Sequence, residues 1–303
     1  MKLHPLVLSA SSLLTLFCVL MLPPPADSQE LVKLFISVDL EGIGGVGSPL
    51  MTSSGGKDYG TSRRYLTEEV NSVVAAIFER VPSADILVND SHGDHQNVLH
   101  GELDPRVSYI QGSIKPLGMV QGLDSSFDGA IFIGYHAKAG DPDGFLAHTG
   151  SGSVKGLWLN DVEVGEGGMN AAFAGSFGVP VILVSGDSAA AAELGQLLGS
   201  ETVTTKTAET PSSARLLHPD VVRVMLRETT KIALDRLRSD GFSPLAIGSP
   251  VEIRMRFAST THVDVLQSIP GMSKVDGYTV RYTARSMDEA YRLIRLMYRF
   301  VSA

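Results

Sequence analysis

Acidic and imidazole side chains recur directly after short apolar runs in this sequence. Asp39 and Glu41 follow the run Val32 to Val38, His92 follows Ile86-Leu87-Val88, His136 follows Ala130 to Ile133, and Glu166 follows the stretch Leu157 to Val164. Carboxylates gathered with imidazoles from neighbouring strands make a divalent-metal site of nitrogen and oxygen donors. Asp39 and Glu41 are two residues apart, so their side chains share a face if the extended conformation persists. Each residue alone has an ordinary alternative: an acidic residue at a strand end is commonly a turn former or helix cap, and a lone histidine a hydrogen-bonded loop residue. Independent turn formers have no reason to converge on one edge, so the set points to a site. His148, twelve residues beyond His136 across the loop Ala139-Gly-Asp-Pro-Asp-Gly, can reach the same edge. His95 and His100 are expected to face solvent, and His218 and His262 to serve packing or surface roles.

The elements that must hold these residues follow from periodicity. Val32 to Val38, Ile86 to Val88, Val107 to Ile110, Ala130 to Ile133 and Val179 to Val184 are short, β-branched apolar runs that suit buried strands. Between or after them, Leu66, Val70, Val73, Val74, Ile77 and Phe78 recur at helical spacing, and Met169–Phe177 and Ala189–Leu198 read as helices. This alternation predicts an α/β fold with a mostly parallel, doubly wound sheet, whose ligands bind outside the carboxyl ends of the strands. Asn160-Asp161 predicts a hairpin turn interrupting it. A Thr/Ser-rich stretch, Thr202 to Ser213, leads to a helical pattern over Ala214 to Leu237. Strand (Val251–Phe257), helix (Thr261–Ser268), strand (Tyr278–Thr283) and amphipathic helix (Met287–Val301) then form a smaller C-terminal α+β unit. The domain reading is therefore 1–28, 29–210 and 211–303.

The first 28 residues stand apart. Lys2 precedes an apolar run from Leu6 to Leu22, followed by three prolines and Ala26-Asp27-Ser28, the pattern of a cleaved export signal. At about 17 residues the run is at the short limit for a bilayer span of ~30 Å, so the mature chain is expected in the periplasm or secreted, with no stable membrane span. Cys18, the one cysteine of 303 residues, leaves with that segment, which excludes a disulfide framework and any thiolate metal ligand. The net charge of −8 leaves no basic surplus for phosphates, so nucleic acid is not an expected partner.

Two short patterns mislead. Gly42-Ile-Gly-Gly-Val-Gly47 matches a dinucleotide fingerprint, but Asp39 and Glu41 would put negative charge beside a pyrophosphate, and Ser48-Pro49 stands where a helix should be running. The glycines are better read as letting the backbone turn tightly under the acidic pair. Asn89-Asp90-Ser91 is a formal glycosylation sequon beside His92 and reads as chance.

Several separate motifs in order then carry a family resemblance over nearly the whole mature chain. Ser37-Val-Asp-Leu-Glu-Gly-Ile, Leu87-Val-Asn-Asp-Ser-His92, Lys115-Pro-Leu-Gly-Met-Val-Gln-Gly-Leu-Asp124, Gly134-Tyr-His-Ala137, and Asn160-Asp161 with Val164-Gly-Glu166 resemble the DppA-type zinc-dependent D-aminopeptidases. The resemblance implies a two-zinc site on Asp39, Glu41, His92, His136 and Glu166, with Asp39 bridging, and a catalytic histidine at His148. It also implies a homo-oligomer, for which a ring is one arrangement, and short peptides with an amino-terminal D-residue such as D-alanine as substrates. Three carboxylates offset most of the charge of two divalent ions and leave the site electrophilic, so that an activated water could attack the scissile carbonyl. The Gly47–Gly60 segment departs from the family pattern, and the His136–His148 loop is one residue longer. Two alternatives share the scaffold: a non-catalytic metal- or peptide-binding protein, and a dinuclear metallohydrolase acting on L-peptides or other amides.

Overall fold

The first strand sets the layering. β1 (Lys33–Val38) is buried on both faces, as a central parallel strand must be, and its side chains alternate between two apolar clusters. Leu34, Ile36 and Val38 pack with Leu66, Val70 and Val73, whereas Phe35 packs with the cluster holding Phe132, Phe173 and Tyr291. The computed structural model describes Met1, residues 32–239 and residues 241–301. The export-signal reading of residues 1–28, with Cys18, therefore falls almost wholly outside the described residues.

After β1 the order is α1 (Tyr59–Arg80), β2 (Asp85–Asp90), β3 (Ser108–Ile110), β4 (Gly129–Tyr135), β5 (Val154–Leu159), β6 (Val162–Glu163), α2 (Glu166–Gly175) and β7 (Val181–Asp187). The chain continues through α3 (Ser188–Leu198), β8 (Glu201–Thr210), β9 (Ser213–Leu216), α4 (Pro219–Leu237), β10 (Val251–Phe257), α5 (Thr260–Leu266), β11 (Ser273–Lys274), β12 (Thr279–Ala284) and α6 (Met287–Val301). Seven strands form one sheet in the order β3-β2-β1-β4-β7-β8-β9, parallel except for β9. Successive strands leave β1 first toward β2 and β3 and then, on its other side, toward β4. The crevice between the carboxyl ends of β1 and β4 is thus the point where such sheets bind ligands.

Residues of α1 and α4 fill the cluster on one face of this sheet. On the other, α2 and α6 pack with a second, antiparallel sheet of order β11-β12-β10-β5-β6. The sheets do not follow chain order, because the β5–β6 hairpin from the middle of the chain pairs with β10. Its turn is at Asn160, whose φ of 54° is one that asparagine tolerates. Leu31–Ala303 packs as one compact unit, and no helix among the described residues is long and apolar enough to cross a membrane.

Two elements differ from their sequence expectation. The Thr/Ser-rich stretch is strand β8, paired in parallel with β7, with Val203, Thr205 and Lys206 buried; its β-branched threonines suit a pleated surface better than a linker. Ala214 and Leu216, read as the start of a long helix, lie in β9. The helix begins at Pro219, whose fixed φ suits a first helical turn, and His218 Nδ1 accepts a hydrogen bond from the Asp220 amide there.

Candidate metal centre

Glycines bring the ends of β1 and β4 together. A Cβ at Gly42 would lie 2.1 Å from the Tyr135 carbonyl oxygen, and one at Gly134 (φ 72°) would lie 2.4 Å from that of Asp39. The Asp39 amide donates to Ile133 O and the Gly42 amide to Gly134 O, each at 2.8 Å. Only a three-residue 3-10 turn, Pro49–Met51, follows Gly47 directly, and α1 starts only at Tyr59, so the glycines serve close packing and not a phosphate. The strand ends at Val38, and Asp39 and Glu41 converge through this turn instead of through strand alternation.

All six residues singled out from the sequence meet here. Asp39 Oδ1 and Glu41 Oε2 lie 3.2 and 2.9 Å from His92 Nδ1. Asp39 Oδ2 lies 3.5 Å from His136 Nε2, which is 3.6 Å from Glu166 Oε1. His148 Nε2 is 3.5 Å from the same Glu166 oxygen, and its ring stacks on His136 with centroids 3.9 Å apart. Glu166 opens α2 and also accepts the Gly150 amide at 2.6 Å.

The imidazoles share one arrangement. His92 Nε2 faces Thr52 O at 2.7 Å, His136 Nδ1 faces Ala137 O at 3.0 Å, and His148 Nδ1 faces Leu146 O at 2.8 Å. A carbonyl only accepts, so each of these nitrogens carries the proton, and the other ring nitrogen is turned toward the carboxylates. Anchoring of one nitrogen by backbone oxygen is how metal-binding histidines are oriented. Asp39 Oδ2 and His136 Nε2 are buried with no hydrogen-bond partner, a costly state for two polar atoms unless a cation lies between them. Asp39, Glu41 and His136 form one group able to hold an ion, and His136, His148 and Glu166 form a second, sharing His136. The donor set of carboxylate and imidazole suits a divalent ion such as zinc.

Without a cation the carboxylates and imidazoles must answer one another. Burial, then Glu41, pushes Asp39 up to about 7. Burial would also raise Glu41, but His92 outweighs it and holds Glu41 well below the usual range. Burial is likewise outweighed at Glu166, held at about 2 by His136 and His148. His92 and His136 are driven well above the usual histidine value because their carboxylates overcome burial. His148 alone is lowered, by burial and by His136.

The surroundings hold residues that the sequence did not single out. Lys206, buried in β8, donates to Glu41 O at 2.5 Å and Val46 O at 2.7 Å and ties the acidic turn to the sheet. Ser91, Ser37, Tyr135, Asn170 and Tyr291 form a buried hydrogen-bonded chain beneath the site. Thr52 and Gly150 contribute backbone atoms, which leave no trace in residue type. His95, expected in solvent, is 2% exposed: its Nδ1 donates to Asp90 O, and Arg299 lies over its Nε2. His100 is exposed as expected, and Asn89 is fully buried, which removes the sequon from a glycan's reach.

A cavity of about 150 Å³ exposes Asp39, Glu41, His92, His148 and Glu166. A larger hollow of about 760 Å³, bordered by Lys138, Asp141, Glu163 and Glu193, has no imidazole on its walls, so size alone does not mark the site.

The family model described as D-aminopeptidase, peptidase M55, matches residues 32–296. A D-aminopeptidase of Bacillus subtilis strain 168 is 36% identical over 268 residues, covering 88% of this chain and 96% of that protein. The solved structure of the zinc-dependent D-aminopeptidase DppA from Bacillus subtilis, described as a self-compartmentalizing protease, is similar with a TM-score of 0.86. Its identity is 35%, over 89% of this chain and 98% of that one.

Proposed function

The chain belongs to the peptidase M55 family of D-aminopeptidases, and from that premise we propose an exported zinc aminopeptidase that removes an amino-terminal D-residue, such as D-alanine, from short peptides. Asp39, Glu41, His92, His136 and Glu166 are the residues that would hold two zinc ions. The observation that carries this reading is the pair of orphaned buried atoms, Asp39 Oδ2 and His136 Nε2, inside a ring of carboxylates and backbone-anchored imidazoles. A divalent ion held there supplies Lewis-acid polarisation of a carbonyl and acidifies water.

The protein's own groups do the rest. Asp39 turns one oxygen toward His92 and the other toward His136, and would hold metal together with them. The three carboxylates give the amino end of a peptide a negative surround. His148 is fixed through its Nδ1 proton on Leu146 O, and its lowered affinity for a second proton leaves Nε2 free to accept one. It would take a proton at Nε2 from the attacking water and return it to the departing amine. Export rests on the pattern of residues 1–28, and assembly into a closed homo-oligomer on the self-compartmentalizing relative.

The test is to purify residues 29–303 and assay matched D- and L-alanyl dipeptides before chelation, after it, and after zinc is restored. Hydrolysis of the D-peptide that vanishes and returns with the metal is expected. His148→Ala should lower turnover by about 10²–10⁴-fold with zinc retained. Equal cleavage of the L-peptide would favour a metallohydrolase of other specificity, and inertness at full metal loading a binding protein.

A further inference from the structure

The apolar face of α6 carries a cation that packing alone does not explain. Met287, Ala290, Tyr291, Ile294, Met297 and Tyr298 are buried along it, and so is Arg295, at 5% exposure. Its Nη1 donates to Tyr298 Oη at 2.6 Å and its Nη2 to Lys115 O at 3.0 Å, both neutral acceptors. Room is made for it at Gly118 (φ 45°), where a Cβ would lie 1.7 Å from Nη1. One turn on, the exposed Arg299 donates from Nη2 to Gly93 O at 3.3 Å and lies 3.4 Å from His95 Nε2 through the same nitrogen, and its Nε and Nη1 meet no acceptor among the described residues. Arg80, Arg106, Arg223 and Arg292 each pair with a carboxylate. Among the described residues no carboxylate lies within ion-pair distance of Arg295 or Arg299. Arg295 is thus buried and Arg299 exposed, and the two bring positive charge without a paired carboxylate to this end of α6.

Both arginines line the 150 Å³ cavity that exposes the carboxylate cluster. The cavity is therefore polarised, with carboxylates at one part and guanidinium groups at another. The positive field is felt by His95, which burial and then Lys115, Arg295 and Arg299 push down to about 3. Glu41 and Glu166 stand within the same small space as Arg299, yet neither pairs with it.

We propose that Arg299, one turn along α6 from the buried Arg295, forms a subsite for the free α-carboxylate at the far end of a short peptide whose amino group lies at the carboxylate cluster. The inference rests on the aminopeptidase reading for the direction in which the peptide lies. Arg299 Nη1, which has no partner among the described residues, can donate a charge-assisted hydrogen bond to a carboxylate oxygen. The small cavity then selects length, because only a peptide of a few residues can present both termini to it at once.

The test compares D-Ala-D-Ala with its C-terminal amide on the metal-loaded protein, reading hydrolysis and, separately, calorimetric binding. The wild type should prefer the free acid by about tenfold or more, expressed in KM rather than kcat. Arg299→Met, at an exposed position where folding is not at risk, should bring the ratio of acid to amide within about threefold, and Arg299→Lys should fall between. A wild type without that preference, or one that survives in Arg299→Met, overturns the subsite. If neither peptide is hydrolysed, the aminopeptidase reading fails, while the calorimetric ratio still decides for or against the subsite.

Discussion

His95 lies three residues beyond His92 on one loop, yet the two imidazoles meet opposite fields. Carboxylates hold His92 protonated in the absence of metal, whereas burial and three neighbouring cations hold His95 neutral, at about 3. The folded value of His95 lies below the unfolded one of about 6.5. Its contribution to stability is thus whole above pH 6.5 and is lost progressively as pH falls toward 3. At pH 5 the loss is about 2 kcal/mol. Denaturant titrations at pH 7.5 and 5.0, with chelator present, should show His95→Gln losing about that much less than the wild type. An unchanged difference between the two pH values would contradict this. Residue type and position after a strand made Asp39, Glu41, His92, His136 and Glu166 legible in the sequence. His95 was misjudged because a loop histidine carries no mark of what will cover it, and its cover, Arg299, lies far along the chain.

Among the elements, the turn from Asp39 to Val46 does most to shape the site. It is pressed against the end of β4 through Gly42 and held to β8 by Lys206. Gly42→Ala puts a methyl group onto backbone that cannot step aside, and should cost about 1–3 kcal/mol together with metal affinity. Thermal melts and zinc titration of the variant check both, and unchanged metal affinity would show that the turn tolerates displacement. Strand–helix alternation disclosed β1, β2, β4, β7 and α6, because each buries a regular apolar pattern. It left β8 unassigned, because its threonines show no apolar run until a parallel partner is known, and it ran β9 into α4. The sharing of one face by Asp39 and Glu41 was anticipated for the wrong reason: the glycine turn, not an extended strand, brings them together.

At the scale of the molecule, the negative cluster lies at the crevice between β1 and β4, where the strand order switches, with Glu166 of α2 and Arg295 and Arg299 of α6 on its walls. The residues of the centre come from separate parts of the chain, from Asp39 to Glu166, so a ligand there ties the fold together. Metal that binds the folded state alone stabilises it by mass action, by about 2.7 kcal/mol at a hundredfold excess over the dissociation constant. Chelation should then lower Tm by about 5–10 °C, reversibly on adding zinc; an unchanged Tm would place the metal, if any, outside the fold's core.

The metal centre itself is tested most directly by the zinc content of the reloaded, dialysed protein beside His136→Ala, the residue common to both ligand groups. The wild type should hold about two zinc ions per chain and the variant fewer than one, with D-peptide hydrolysis lost. A wild type that retains no zinc, or a variant that keeps its full complement, would contradict the assignment.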